Sequence, residues 1–157
     1  MDIKLMHISN KGIKLAEQFE GIRYTPYDDG CGNMTIGIGH LIKEGEVFDH
    51  KLTDAEVYDL YRKDVLGVGE ARVKAAVHVD VPQNIFDVLV DMAFNLQYLA
   101  FMNSSVVRLV NEKKFDEAAE RLFRYNKAFS EKKKQYIVMP GLTKRCKARY
   151  DLWKSID

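Results

Sequence analysis

Two carboxylates and one hydroxyl lie close together near the beginning of the sequence. Glu20 stands directly before a glycine, Asp29 follows nine residues later, and Thr35 opens the glycine-spaced run Thr35-Ile36-Gly37-Ile38-Gly39. A protonated carboxylic acid and an ionised carboxylate on either side of a bound water are the groups that hydrolyse glycosidic bonds. A hydroxyl such as that of Thr35 could hold the water. Two acids and a threonine also occur together by chance, so these residue types alone only suggest acid–base hydrolysis.

The segment before Glu20 predicts a helix over residues 10–20, because apolar residues recur there at helical spacing and Ser9 or Asn10 can cap it. Gly21 suits the position just beyond a helix end. Glu20 then occupies the last turn, where unpaired backbone carbonyls disfavour an ionised carboxylate. Such a position suits a side chain that donates a proton, although an ordinary surface acid at a helix end is the other interpretation.

The residues after Gly21 predict a short hairpin. Residues 23–28 are rich in aromatic and β-branched residues, but Pro26 excludes them from the centre of a sheet. Asp29 lies among turn-forming residues, and residues 34–39 alternate so that Thr35 and two glycines share one face. That face could admit a ligand, or the glycines could serve close strand packing. Asp29 and Thr35 also suit purely structural roles in a turn and a strand.

The rest of the chain reads mainly as helices. Thr53 and Glu56 form a capping box that predicts a helix over residues 54–76, bent or interrupted by glycines near its middle. Residues 85–96 are apolar nearly all round, which predicts a buried core helix without a polar face. We also expect a short helix that is capped by Asn103, Ser104 or Ser105 and ends at about residue 111, a helix over residues 115–126, and a last helix from Pro140 onwards. Residues 128–139 read as a lysine-containing loop.

Length and composition predict one domain over residues 1–157. We expect an N-terminal helix and β lobe over about residues 10–50, a connecting helix over about 54–76, and a helical lobe over about 82–157. No apolar run approaches the roughly 18 residues of a membrane span, and the start lacks a secretory h-region, so we expect the chain to begin in a cytoplasm. Cys31 and Cys146 read as free thiols, and the histidines lack ligand spacing, so we expect neither a metal nor a cofactor.

Charge is distributed unevenly along the chain. Residues 113–157 contain 13 Lys or Arg against 6 Asp or Glu, whereas residues 1–112 contain 11 against 17. A basic C-terminal part favours a polyanionic partner such as a cell-wall polymer or a nucleic acid. A solvated helical surface rich in lysine is the equally simple alternative.

The pattern Glu20-x8-Asp29-x5-Thr35, followed by residues 36–40, resembles the active-site signature of the phage-type lysozymes. These are the endolysins of tailed bacteriophages, muramidases of glycoside hydrolase family 24. The resemblance continues along most of the chain, in Ala93-Phe94-Asn95, Phe101-Met102-Asn103-Ser104, Pro140-Gly141-Leu142 with Arg145, and Leu152-Trp153.

The resemblance implies a fold and a reaction. The fold would be α+β, mostly α and lysozyme-like, with a small β-hairpin lobe and a larger helical lobe flanking a cleft. The reaction would be hydrolysis of the β-1,4 bond between N-acetylmuramic acid and N-acetylglucosamine in peptidoglycan, which lyses bacteria. Glu20 would donate the proton, Asp29 would orient the attacking water or stabilise positive charge on the sugar, and Thr35 would place that water.

The resemblance also implies roles for residues outside this motif. Leu41, Phe94, Ser104 and Arg121 would contact the substrate. Two pairs would form across the fold, Arg145 with Glu20 and His40 with Asp64. One departure from the family pattern is Gln97, which stands where these proteins commonly have glycine, so the loop after the core helix is expected to differ.

The implied partner is bacterial peptidoglycan. We expect a monomer that binds no nucleic acid and does not insert stably into membranes. It would accumulate in the host cytoplasm and reach the periplasmic wall after a holin opens the inner membrane. Two alternatives remain open at this point: a lytic transglycosylase, which uses one acid and no water, and a non-catalytic module that binds wall or nucleic acid.

Overall fold

The structure, a computed structural model, describes residues 1–155, which form eight α-helices, a three-stranded antiparallel sheet and a separate two-stranded hairpin. The helices are α1 (Asn10–Glu20), α2 (Asp54–Val65), α3 (Ala71–Ala76), α4 (Gln83–Asn95), α5 (Tyr98–Met102), α6 (Ser105–Asn111), α7 (Phe115–Arg121) and α8 (Pro140–Lys154). The strands are β1 (Arg23–Asp28), β2 (Met34–Gly37), β3 (His40–Leu41), β4 (Lys127–Ser130) and β5 (Gln135–Val138). The fold is α+β and mostly α, as predicted.

The first sheet has the strand order β1-β2-β3. Strand β1 lies at its edge, and its register against β2 shifts between Arg23 and Tyr27, the stretch that contains Pro26. Proline cannot donate a ladder hydrogen bond, so an edge position with an irregular register is where it is tolerated. The predicted hairpin is therefore confirmed. A two-residue turn leads from β2 into β3, which pairs Thr35 with Leu41.

A helical backbone continues from residue 54 to residue 76. Thr53 and Glu56 form the expected capping box at its beginning. Helix α2 passes into a π-helical segment, Leu66–Glu70, and then into α3. Two glycines lie in that segment, so the prediction of a long helix interrupted near its glycines is confirmed. No helix in residues 1–155 has the length and apolar character needed to cross a bilayer.

Helix α4 forms the centre of the core, as predicted. Phe86, Leu89 and Met92 are fully buried there, and α1, α3, α8 and the π-helical segment all pack against this helix. The predicted burial is confirmed over residues 85–93, and it includes the carboxylates of Asp87 and Asp91. Both acids have long-range partners, which a helical window of sequence does not reveal.

The prediction of a loop over residues 128–139 was wrong. Strands β4 and β5 pair there as a regular antiparallel hairpin in which Phe129 lies opposite Tyr136. Each strand has only four residues, and a charged turn separates them, so the alternation was too short to identify. Two smaller differences concern helices: α7 ends at Arg121 and is followed by a 3-10 turn, and α5 was not predicted.

Two glycines of the π-helical segment provide a matched test of how closely α4 approaches it. A Cβ at Gly69 would lie 3.1 Å from Val90 Cγ1 and 3.2 Å from the Val90 carbonyl oxygen, whereas a Cβ at Gly67 would meet nothing within 4 Å. We expect Gly69→Ala to lower the free energy of unfolding by about 1–3 kcal/mol, because backbone must move. Gly67→Ala should be neutral or stabilise by up to about 1 kcal/mol. Urea denaturation of both variants checks this, and equal effects would contradict the close packing at Gly69.

Candidate active site

Glu20 is the last residue of α1. Gly21 follows with φ of 75° and donates its N–H to the Glu17 carbonyl at 2.8 Å, which ends the helix as predicted. The Glu20 side chain is 39% exposed, and its Oε1 accepts a hydrogen bond from Arg145 Nη1 at 2.8 Å. This contact confirms the predicted pairing. On the other side, a Cβ at Gly39 would lie 3.6 Å from Oε2, so the turn between β2 and β3 comes close to the carboxylate.

The arginine that holds Glu20 is itself held by Asp91. Arg145 donates from Nε and Nη2 to the two carboxylate oxygens of Asp91, at 3.0 and 2.6 Å. Arg149, one turn further along α8, donates from Nε to the same carboxylate at 2.7 Å. The Asp91 side chain is 1% exposed and the two arginine side chains are 7% and 3% exposed. We call these three residues the Asp91 cluster.

The Asp91 cluster keeps its charges through mutual stabilisation. Burial by itself would raise the pKa of Asp91, but the charges and hydrogen bonds of Arg149 and Arg145 hold that pKa below its usual value. Burial would likewise lower the pKa of Arg145, but Asp91 and Glu20 outweigh it and raise that pKa. Asp91 and Arg145 therefore remain ionised at neutral pH.

Arg145 was predicted as the partner of Glu20, whereas the roles of Asp91 and Arg149 were not predicted. A signal was present in the sequence: two acids, Asp87 and Asp91, stand among large apolar residues in a predicted core helix, and a buried carboxylate needs a polar or cationic partner. The last helix offers two arginines at spacing i, i+4, which places them on one face. Nothing in either segment alone connects the two features.

Asp29 lies in the exposed turn after β1. Its Oδ1 accepts the backbone N–H of Cys31 at 2.8 Å and that of Asn33 at 3.2 Å, and the Asn33 amide lies 3.3 Å from Oδ2. These donors, with the Cys31 N–H first among them, lower the pKa of Asp29. Asp29 is therefore ionised at neutral pH, as a group that orients or activates water must be.

Thr35 lies in β2 and is only 7% exposed. Its hydroxyl donates to the Tyr27 carbonyl at 3.4 Å, across the pair of strands. Thr35 therefore has a cross-strand contact of its own, and its predicted role in placing a water stays a prediction.

A cavity of about 480 Å³ opens beside Glu20, and we call it the Glu20 cavity. Its walls are the end of α4 with the following turn, the segment that includes the β4–β5 hairpin, and one face of α8. Residues from each wall are Asn95, Gln97, Lys127, Tyr136 and Arg145. Within residues 1–155, Glu20 is the only predicted site residue that lines this cavity. The described residues contain no group of three His, Cys, Asp or Glu able to hold a metal ion.

The residues predicted to bind substrate lie at other places, and their role stays a prediction. Leu41 is 53% exposed in β3. Phe94 packs edge-on against Tyr61, with ring centroids 5.9 Å apart. Ser104 is buried and caps α6, its Oγ accepting the Val107 N–H at 3.1 Å. Arg121 is the partly buried last residue of α7.

The predicted contact between His40 and Asp64 is present. His40 is 4% exposed, with Nδ1 2.9 Å from an Asp64 oxygen and Nε2 3.0 Å from Glu46 Oε1. The Lys43 backbone N–H and then His40 lower the pKa of Glu46. These contacts attach β3 to α2, so the strand that follows the Gly39 turn has a fixed position relative to the long helix.

Residues 17–149 match the protein family described as phage lysozyme. The chain belongs to the phage lysozyme family. It is therefore a glycoside hydrolase, and its activity is the peptidoglycan hydrolysis of a lysozyme. The lysozyme motif read from residues 20–40 is confirmed at the level of family.

Individual relatives agree with this assignment. An endolysin of Acyrthosiphon pisum secondary endosymbiont phage 1 is 30% identical to this phage lysozyme over 152 residues, covering 96% of this chain and 99% of the relative. The muramidase domain of SpmX from Asticaccaulis excentricus is 32% identical, with a TM-score of 0.77 over 96% of this chain and 100% of that one. An endolysin from Escherichia coli O157:H7 phage FAHEc1 has a TM-score of 0.81 at 27% identity, covering 96% of this chain and 94% of that one.

The Asp91 cluster should determine the stability of this phage lysozyme. We expect Asp91→Asn to lower the free energy of unfolding at pH 7 by about 3–5 kcal/mol, because two buried guanidinium groups lose their carboxylate. The folded pKa of Asp91 is depressed, so its contribution is complete above about pH 3.9, the unfolded value, and is lost as pH falls through the folded value. Denaturation with urea from pH 7 to pH 3 measures this.

Asp116 is the matched control, since its side chain is 93% exposed and pairs with Lys154 at 2.7 Å. Asp116→Asn should change stability by less than about 1 kcal/mol. The difference between wild type and Asp91→Asn should narrow below about pH 3.9. A difference that instead widens there, or a loss no larger than that of Asp116→Asn, would refute this account.

Proposed function

We propose that Glu20 is the proton donor with which this phage lysozyme cleaves the β-1,4 bond between N-acetylmuramic acid and N-acetylglucosamine. The observation that carries the proposal is the position of the Glu20 carboxylate. It lies at a helix end beside a cavity of about 480 Å³, with Oε1 on Arg145 and Oε2 toward Gly39. A carboxyl group on such a surface can reach the bridging oxygen of a saccharide in the cavity.

Contacts with Arg145 hold the proposed proton donor in place. Arg145 Nη1 donates to Glu20 Oε1 at 2.8 Å, while Nε and Nη2 of the same guanidinium donate to Asp91. Asp91 is buried, so the guanidinium is shared between a carboxylate of the core and the carboxylate at the cavity. The position of Glu20 beside the cavity is therefore fixed by the packing of α8 against α4.

We assign the complementary role to Asp29. Its carboxylate is held ionised by the N–H groups of its own turn, so it can orient a water or stabilise positive charge that develops on the sugar. Thr35, on the neighbouring strand, is assigned to that water. An ionised second acid supports hydrolysis over the transglycosylase reaction, which needs one acid only. We expect inversion at the anomeric carbon, which a separation of roughly 6.5–9.5 Å between the two carboxyl groups allows.

The route by which the enzyme reaches the cell wall follows from its proposed substrate. We infer a monomer that accumulates in the host cytoplasm and depends on a holin for access to the wall. Its membership in a family of phage lysozymes supports this route, since its action is on the wall. Expression with and without a co-expressed holin tests it, because lysis in the absence of the holin would contradict the route.

The proton-donor role predicts the behaviour of Glu20→Gln. This variant should lose about 10²–10⁴-fold in the rate of clearing permeabilised bacteria, because an amide cannot donate the proton. Glu117→Gln is the matched control, since Glu117 is exposed in the first turn of α7, and it should retain full activity. Turbidity decay measures both rates, and mass spectrometry of wild-type products should find hydrated reducing ends. Anhydro ends, or an active Glu20→Gln, would reject the assignment.

The second acid predicts a particular pH profile. Activity should require ionised Asp29, so kcat/KM on soluble glycan strands should fall only as pH drops below 3.8, through the lowered pKa. Asn33→Ala removes one of the donors and should move this acidic limb to higher pH. Asp29→Asn should abolish most activity. Asp28→Asn is the control, because Asp28 is the neighbouring exposed acid, and it should retain activity. Circular dichroism at each pH verifies folding, and an acidic limb unchanged in Asn33→Ala would reject the role.

A further inference from the structure

The β4–β5 hairpin has one face without a partner among the described residues. Lys127 lies opposite Val138, and Phe129 lies opposite Tyr136, so these four side chains share one face of the two strands. Tyr136, Val138 and Phe129 are 69%, 55% and 47% exposed. We call this surface the outer face of the hairpin. Exposed aromatic and aliphatic groups beside a cation are typical of a surface that binds a ligand.

The outer face is continuous with the Glu20 cavity. Lys127 and Tyr136 line that cavity together with Glu20. The other two cations of its wall, Arg145 and Arg149, are already bound to carboxylates of the protein. Lys127, in contrast, has no ion pair or side-chain hydrogen bond among residues 1–155. The cavity therefore presents one uncompensated ammonium group to whatever it binds.

The aromatic part of the face is already ordered. The rings of Phe129 and Tyr136 pack edge to face with centroids 5.4 Å apart. A ring whose orientation is set by a neighbour loses little side-chain freedom when a ligand covers it. Tyr136 thus offers a flat apolar surface with a hydroxyl at its edge, which suits the alternating C–H and O–H groups of a sugar ring.

We propose that the outer face of the hairpin binds the peptidoglycan strand next to the bond that is cleaved. The Lys127 ammonium binds a carboxylate of the strand, and the Tyr136 ring packs on a sugar. This inference rests on the proposed function, since it places the reacting bond at Glu20. Peptidoglycan has two sources of such a carboxylate, the stem peptide and the lactyl group of muramic acid units that carry no peptide.

The test uses the Glu20→Gln protein, so that ligands bind without being cleaved. Isothermal titration calorimetry would compare three soluble ligands of equal length: a glycan with stem peptides, the same glycan with free lactyl groups, and an oligomer of N-acetylglucosamine without carboxylates. Introducing Lys127→Gln into the Glu20→Gln protein should raise the Kd about fivefold for a carboxylate-bearing ligand and leave the Kd of the uncharged oligomer unchanged. If Lys127→Gln weakens binding of the first ligand alone, the carboxylate belongs to the stem peptide. If it weakens binding of the second ligand alone, the carboxylate belongs to the lactyl group.

Lys132→Gln is the matched control, because Lys132 is exposed in the turn of the same hairpin and does not line the cavity. It should leave all three Kd values unchanged. Tyr136→Ala should raise the Kd of all three ligands, whereas Tyr136→Phe, which keeps the ring, should leave the Kd values close to those of the parent protein. Raising the salt concentration should reduce the effect of Lys127→Gln, since exposed charges are screened.

The outcomes separate this inference from the function on which it rests. Suppose that the Glu20→Gln protein binds the ligands. If Lys127→Gln then leaves every Kd unchanged, or raises the Kd of the uncharged oligomer as much as that of the others, the role of Lys127 is wrong and the proton-donor assignment stands. If Glu20→Gln clears permeabilised bacteria at the wild-type rate, the proton-donor assignment is wrong, whereas the change in Kd on Lys127→Gln still decides the role of Lys127.

Discussion

The buried carboxylate of Asp91 is the group on which the rest of the structure depends. An ion of this size costs several kcal/mol to remove from water, so it persists only with close cationic partners. Arg145 and Arg149 supply them from α8, at 2.6 to 3.0 Å. Arg145 then extends to Glu20. One connected set of charges therefore joins the core helix, the last helix and the proposed proton donor. The position of Glu20 thus depends on ion pairs that also stabilise the core.

Glycines set the distances around this network. Gly69 allows the π-helical segment to approach α4 closely, and Gly39, at φ of 65°, allows the tight β2–β3 turn that lies beside Glu20. Gly21, at φ of 75°, ends α1 immediately after the carboxylate. A side chain at Gly69 would crowd Val90, whereas at Gly39 and Gly21 the positive φ would strain the backbone of any other residue. The space beside Glu20 thus depends on residues that contribute no side chain to it.

The two acids assigned to catalysis occupy different environments. Asp29 is exposed and accepts three N–H groups, which hold it ionised. Glu20 lies at the carbonyl end of α1 and contacts the guanidinium of Arg145, which also binds Asp91. Environments that treat two carboxyl groups differently are what acid–base hydrolysis of a glycoside requires. The β4–β5 hairpin adds a cationic and aromatic wall to the same cavity, so the substrate contacts we propose come from elements far apart in the chain.

The sequence by itself determined the features that depend on a few neighbouring residues. The end of α1 at Gly21, the capping box at Thr53, the turn around Asp29 and the helix over residues 54–76 all follow from local hydrogen bonding and periodicity, and the motif from Glu20 to Thr35 identified the family. The tertiary structure decided the partners of Asp91, which lie 54 and 58 residues away. It also decided that residues 127–138 form a hairpin beside Glu20. These features depend on which surfaces pack together, and burial and long-range charge pairing are properties of the assembled fold that no short window of residues contains.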